Sequence, residues 1–236
     1  MNELLILAVS DSSFLPFIRT LFHSIKENVR IPYKFHLHAI NVPDKKIESL
    51  QSEFSNIEFS RDELELDDSP DRENHLRKSK KAAYCANIRA KVIYDLMCKG
   101  KQYILYLDAD SIVKKDLNEL LLLIQSTDLI IFRRDNEKNS STKVLTSVIG
   151  INNNYRSLKF IEYWKECMLS PKNLYSWFSD QRYFFKAMEK RSDTKVSYLP
   201  FQYVDSSFSG KSFIWNGKGS RKFTNIKYIR EMEKYR

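Results

Sequence analysis

Glycine and proline are scarce in this 236-residue sequence, at 5 and 6 residues. That scarcity excludes a collagen-like, linker-rich or low-complexity chain, and no internal period marks a solenoid or a propeller. The three cysteines, Cys85, Cys98 and Cys167, contain no CxxC pair. They argue against a disulfide framework or a zinc site and for a reducing compartment. No apolar run approaches the roughly 18 residues that a membrane span needs. The opening MNELLILAVSDSS has only about seven apolar residues and no basic region before them, which is wrong for a signal peptide. A cytoplasmic chain is the expectation.

Hydrophobic residues make up 42% of the chain and aromatics 13%, enough for a sizeable core. No composition shift divides the sequence, so residues 1–236 read as one domain. The net charge of +9 is concentrated at one end. Lys211, Lys218, Arg221, Lys222, Lys227, Arg230, Lys234 and Arg236 face only Glu231 and Glu233 there. Such a tail suits an anionic partner: nucleic acid, anionic lipid or a phosphorylated small molecule. A solvated basic helix with no partner would have the same composition.

The apolar pattern alternates between two periods. LLILAVS (4–10), KFHLHAINV (34–42) and NIEFS (56–60) read as strands. SFLPFIRTLFHSIKEN (13–28) and PDKKIESLQSEF (43–54) between them read as helices. This opening predicts an α/β fold with a largely parallel sheet. Arg61 to Lys81, acidic and then basic, reads as a mobile excursion. One helix is expected over 82–100, then a strand over 102–110 and a helix N-capped by Asp116. Strands are expected over 128–134 and 143–152, helices over 155–169 and 180–190, and an extended segment over 195–204.

The strand QYILYLDAD ends in two carboxylates, Asp108 and Asp110. In open α/β sheets ligands bind beyond the carboxyl ends of the strands. If the extended geometry persists through Ala109, both carboxylates point to the same side. Two adjacent anions need a counter-charge, either a divalent cation or a nearby Arg or Lys. Mg²⁺ or Mn²⁺ suits such oxygen ligands, often together with substrate phosphates. A metal-dependent phosphatase of the DxD type uses the first Asp as nucleophile, but its motif usually lies near the start of the domain. Here 107 residues precede it. A non-catalytic protein binding nucleic acid or another anion is the other alternative, resting on the basic tail.

The surroundings of the pair resemble the GT-A glycosyltransferases, most of all family 8, which includes glycogenin and the lipopolysaccharide galactosyltransferases. The resemblance runs from Leu4 to about Lys222. It implies a mixed, mostly parallel sheet flanked by helices, and transfer of a sugar from a nucleotide-sugar, a UDP-sugar in this family, with retained configuration. ILAVSDSSFLPFIRTLFHSI resembles the nucleotide loop, implying that Ala8, Val9, Ser10 and Asp11, with Phe14 nearby, surround uracil and ribose. YCANIRAKVIYDLMCKGKQYILYLDADSIVKKDLNEL resembles the segment with an Arg near the diphosphate and the DxD metal ligands. These would be Arg89, Asp108 and Asp110. SDQRYFFKAM implies Asp180 and Gln181 beside the transferred sugar. IWNGKGSRK resembles the closing motif, with Asn216 where the family has a metal-binding His, and with Lys218, Arg221 and Lys222 for the diphosphate. In VLTSVIGIN, Leu145 and Ser147 replace the family's sugar-contacting Asn and Gly. The implied cofactor is Mn²⁺ or Mg²⁺, and the partners are a sugar donor and a saccharide or glycolipid acceptor rather than nucleic acid. The basic segment 206–236 would pack over the donor site, and NIKYIREMEKYR would touch a membrane peripherally.

Overall fold

A computed structural model describes residues 3–65, 79–139 and 142–235. The chain begins β1 (Leu4–Asp11), α1 (Leu15–Asn28), β2 (Tyr33–Ile40), α2 (Asp44–Glu53) and β3 (Ile57–Asp62). Next come α3 (Lys80–Asn87), α4 (Arg89–Cys98), β4 (Tyr103–Leu107), β5 (Ser111–Val113) and α5 (Asn118–Ser126). β6 (Leu129–Arg133), β7 (Val144–Asn152), α6 (Tyr155–Met168), α7 (Pro171–Leu174) and α8 (Ser179–Lys190) follow. The chain finishes with β8 (Val196–Tyr198), β9 (Ile214–Asn216), α9 (Arg221–Thr224) and α10 (Ile226–Glu233). Most of the expected excursion, 66–78, lies outside the described residues.

Local chemistry sets these elements. Every residue of β1 is buried, as its unbroken apolar run requires. α1 starts with proline in its first turn, where no N–H is needed, and buries Phe17, Ile18, Leu21, Phe22 and Ile25 on one stripe. α6 opens with a capping box between Asn154 and Ser157. The helix expected over 82–100 is two helices meeting at Ile88. The Arg89 side chain donates from Nε to the carbonyl of Ala86 and competes for an acceptor that a continuous helix would use. Asp116 is no N-cap: its carboxylate accepts from the backbone N–H of Arg30 and Leu117, and α5 starts two residues later.

The main sheet has the order β3-β2-β1-β4-β7-β6-β8. β7 runs against the other six strands, and β5 pairs with β9 in a separate two-stranded ribbon. On one face Leu4, Ile6 and Ala8 pack with α1, α2 and α5. On the other, Leu5, Leu7 and Val9 pack with α3, α4, α6 and α8. Gly150 lets β7 lie close under its neighbours, because a Cβ there would meet Ile130 Cγ1 at 2.3 Å and Ile124 Cγ1 at 2.7 Å. A third cluster, Phe17, Ile112, Phe208, Trp215, Tyr228, Met232 and Tyr235, fastens the basic C-terminal segment to α1 and β5.

A polar network lies between β2 and β3. His36 Nε2 and His38 Nδ1 both lie 2.8 Å from Ser60 Oγ, and His38 Nε2 lies 3.1 Å from Asp62 Oδ2. Burial holds the His36 imidazole down at about 4, with Glu58 opposing it. The folded protein therefore resists a proton that the unfolded chain takes up near pH 6.5. This contribution is fully present above pH 6.5 and is lost as the pH falls toward 4, roughly 3 kcal/mol in all. Denaturation midpoints measured from pH 7 to 4 should therefore fall less steeply for His36→Gln than for the parent. Parallel profiles would refute it.

Candidate active site

The six like-directed strands bring their carboxyl ends to one edge, and β7, running the other way, brings its first residues to the same edge. β1 pairs with β2 as far as Asp11, but with β4 only as far as Leu7 opposite Tyr106. The edge of β1 that faces β4 is thus left without a strand partner from Ala8 to Asp11. This opening lies where the strand order changes direction, the usual place for a ligand in such sheets.

β4 ends at Leu107, so the extended geometry does not reach Ala109. Asp108–Ala109–Asp110 is a turn in which the Ser111 N–H donates to the Asp108 carbonyl at 2.9 Å. The Asp108 N–H donates to Ser147 O on β7 at 2.9 Å. Each carboxylate meets a protein cation. Arg89 Nη1 lies 3.1 Å from Asp108 Oδ1 and 3.9 Å from Asp180 Oδ2, and donates to Thr146 O at 2.6 Å. Its guanidinium sits 4.5 Å above the Tyr106 ring, and the Tyr106 hydroxyl donates to Asp108 Oδ1 at 3.0 Å. Arg89 is only 5% exposed. Burial works against its charge, but Tyr106, Asp108 and Asp180 hold the guanidinium above its ordinary pKa.

Asp110 faces the C-terminal segment. Its Oδ2 forms an ion pair with Lys222 Nζ, while its carbonyl accepts from Gly217 N at 3.0 Å and the Tyr228 hydroxyl at 2.8 Å. The Lys222 ammonium lies 4.5 Å from the ring centroid of Phe14, 5.6 Å from Phe17 and 5.8 Å from Phe223. Burial pushes the Asp110 carboxyl above the usual range; Lys222 opposes this and the Asp108 charge adds to it. A Cβ on Gly217 would lie 3.0 Å from Asp110 O, Lys222 Cβ and Tyr228 Cζ, so glycine permits this approach.

Residues 5–169 match the family model described as glycosyl transferase family 8. The chain belongs to that family. Solved structures share the fold of this family 8 enzyme. The glycosyltransferase GlyE of Streptococcus pneumoniae TIGR4 is 15% identical over 100% of this chain, with TM-score 0.63. The present chain spans 60% of that one. The galactosyltransferase LgtC, solved with donor and acceptor sugar analogs, is 12% identical over 98% of this chain and 93% of its own, with TM-score 0.61. Mouse xyloside xylosyltransferase 1 is 11% identical over 93% of this chain and 99% of its own, with TM-score 0.56. No curated protein matches the sequence. Family membership makes the chain a glycosyltransferase and sets aside the phosphatase and non-catalytic readings. The expected α/β architecture, mixed and mostly parallel, is the one observed.

The other expected site residues of the transferase fall in three places. Ala8 and Val9 turn their side chains into opposite cores, so only their backbone is available at the opening. Asp11 accepts from Ser13 N at 2.9 Å and Phe14 N at 3.2 Å, capping the turn into α1, and Lys81 Nζ lies 3.3 Å from its other oxygen. Ser10 is buried, with its hydroxyl on the Asp11 carbonyl. Asp180 is no helix cap either: its carboxylate accepts from the Thr146 hydroxyl beside Arg89, and Phe178 holds the cap position with φ at 65°. Burial raises the Asp180 carboxyl, with Arg89 opposing it. Gln181 keeps a buried Oε1 with no hydrogen-bond partner. Lys218 and Arg221 lie on the exposed surface beyond Asn216, and Arg221 donates to Ser206 O and Oγ at 3.1 and 3.0 Å.

The donor set for a divalent cation would be Asp108, Asp110 and Asn216. Among the described residues, no three His, Cys, Asp or Glu side chains cluster for a metal, so the third position falls to an amide. Asn216 pairs across the ribbon with Ser111, next to Asp110, and is 6% exposed. Its Nδ2 and the Ser111 Oγ are both buried without a partner. Rotating the amide would offer its oxygen instead. Two carboxylates, an amide and unsatisfied polar atoms fit a hard, oxygen-liganded ion.

Several residues of this site were not read from the sequence. Asn87 accepts from Asp180 N at 3.1 Å and donates to the carbonyls of Asn173, Leu174 and Ser176, fixing the start of α8. Tyr106 and Thr146 looked like ordinary strand residues, and Tyr228 like one face of a terminal helix. Apart from the Tyr106–Asp108 bond, their partners are distant in sequence, and no local pattern announces them.

Proposed function

We propose that this enzyme transfers a sugar from a UDP-sugar to a saccharide or glycolipid acceptor, with a divalent cation and with retention of anomeric configuration. The observation that carries the reading is the Asp108–Asp110 turn, set between Arg89 and Lys222 beside the open end of β1. Ala8 to Asp11 would receive the base and ribose along their free backbone edge. Asp108 and Asp110, with Asn216, would hold Mn²⁺ or Mg²⁺. When bound, that ion supplies positive charge to the leaving diphosphate. Lys222, Lys218 and Arg221 bring further positive charge to the same phosphates, and such fixed charges act most strongly where water is excluded. Asp180 and Gln181 stand at the sugar end, where Arg89 and Thr146 hold the Asp180 carboxylate in one orientation.

The same reading takes residues 1–236 as one transferase domain, with 206–236 closing over the donor. Among the described residues no helix is long and apolar enough to cross a membrane. The cysteine usage supports a cytoplasmic setting, and the exposed Phe223 and Ile226 beside Lys227 and Arg230 support peripheral contact with the membrane of a glycolipid acceptor. Thermal unfolding tests the donor site. At about 100 times its dissociation constant, UDP with Mn²⁺ should add about 2.7 kcal/mol, a rise of roughly 5–11 °C for a chain of this size. GDP and CDP should add less. No rise with any of the three at millimolar concentration would overturn the proposal.

A further inference from the structure

Lys222 and a divalent cation would claim the same carboxylate. The ammonium pairs with Asp110 Oδ2 in a pocket where both side chains are 11% exposed. An ion such as Mg²⁺ approaches its ligand oxygen to about 2.0–2.1 Å. With Lys222 still in place, two positive charges would meet across one carboxylate in a weakly solvated site. The carboxylate is not the lysine's only support. Its ammonium is bordered by the faces of Phe14, Phe17 and Phe223, which stabilise a cation without competing for a carboxylate. Its helix, α9, is a single turn, reached through Gly219 at φ +63° and capped by no side chain.

Resting on the donor and cation reading above, we propose that Lys222 is the internal counter-cation of the free enzyme. It neutralises Asp110 while the site is empty and leaves that carboxylate when a divalent cation enters. The diphosphate of the donor then becomes its partner. The consequence is a coupling between the two ligands. The free enzyme binds the metal weakly, because the ion must first displace the lysine. With the nucleotide present, the displaced ammonium gains a new anion and the metal binds tightly. A pair formed in about 90% of free molecules weakens cation binding about tenfold.

Mn²⁺ binding followed by the electron paramagnetic resonance signal of the free ion, with and without UDP, tests this. The parent should bind Mn²⁺ weakly alone and much more tightly with UDP. Lys222→Gln should bind Mn²⁺ alone about tenfold more tightly than the parent, and lose most of the tightening by UDP. Lys222→Arg, which keeps the charge, should retain weak binding without UDP. Lys222→Met serves in place of the glutamine variant should that one fail to fold. Equal affinity of the parent and the neutral variants for Mn²⁺ alone, with UDP still tightening both, would overturn the exchange and leave the donor site standing. No Mn²⁺ binding by the parent even with UDP would overturn the cation reading and the exchange together.

Discussion

Arg89→Met should lower the stability of the folded enzyme by about 3–5 kcal/mol, the usual cost of removing one partner from a buried ion pair. The guanidinium serves two carboxylates, with Asp108 at 3.1 Å and Asp180 at 3.9 Å. It also satisfies the carbonyls of Ala86 and Thr146. A methionine fills similar space and supplies none of this. The buried Asp180 and the half-buried Asp108 would then face each other without a positive charge between them. Arg89→Lys should recover part of the loss, since it restores the charge but cannot span the same acceptors in one plane. Urea denaturation reads the difference as a shift of the midpoint. A midpoint unchanged in Arg89→Met would mean that the two carboxylates do not depend on this residue.

The second large effect is on turnover. Asp110→Asn keeps the size of the side chain and the backbone bonds to Gly217 and Tyr228, and removes only the negative charge. On the proposed mechanism, the positive charge gathered for the leaving phosphate is then held less firmly. Loss of one preorganised electrostatic group typically costs roughly 2.7–4 kcal/mol of transition-state stabilisation, or about 10²–10³ in rate. Release of UDP from a UDP-sugar measures this with or without a known acceptor. The melting temperature should fall as well, because Lys222 loses its counter-charge in a weakly solvated pocket, so turnover is compared well below both midpoints. A variant that turns over within threefold of the parent would remove Asp110 from the reaction.

The strands and helices from Leu4 to Asp62 were legible because burial on a sheet imposes short-range patterns. β1 is apolar on both faces, and α1 repeats its apolar positions at helical spacing. The paired carboxylates at a strand end, with the Arg of the preceding helix, were enough to point to the family. The geometry between them was not legible. The chain turns after Asp108 because its carbonyl accepts from the Ser111 N–H, while its own N–H only continues the β4–β7 ladder to Ser147. The helix around Ile88 breaks without glycine or proline, through a side chain taking a backbone acceptor. Asp180 stands at a helix start in the sequence, and only the fold sets its carboxylate against Thr146. The Asp180 contact crosses the fold, the other two are local hydrogen bonds, and none of the three leaves a periodic trace.

The ties from Asp110 to Lys222 and Tyr228 also set a timetable for synthesis. They join positions 112 and 118 residues apart. A ribosome adding about 5–20 residues per second needs roughly 6–22 s to make that interval. At the start of those seconds a nascent chain has β1 to β4 and its acidic turn, and it gains β6, β7 and β8 before its own closing lysine. The acidic turn is therefore closed only after the sheet that supports it has been made.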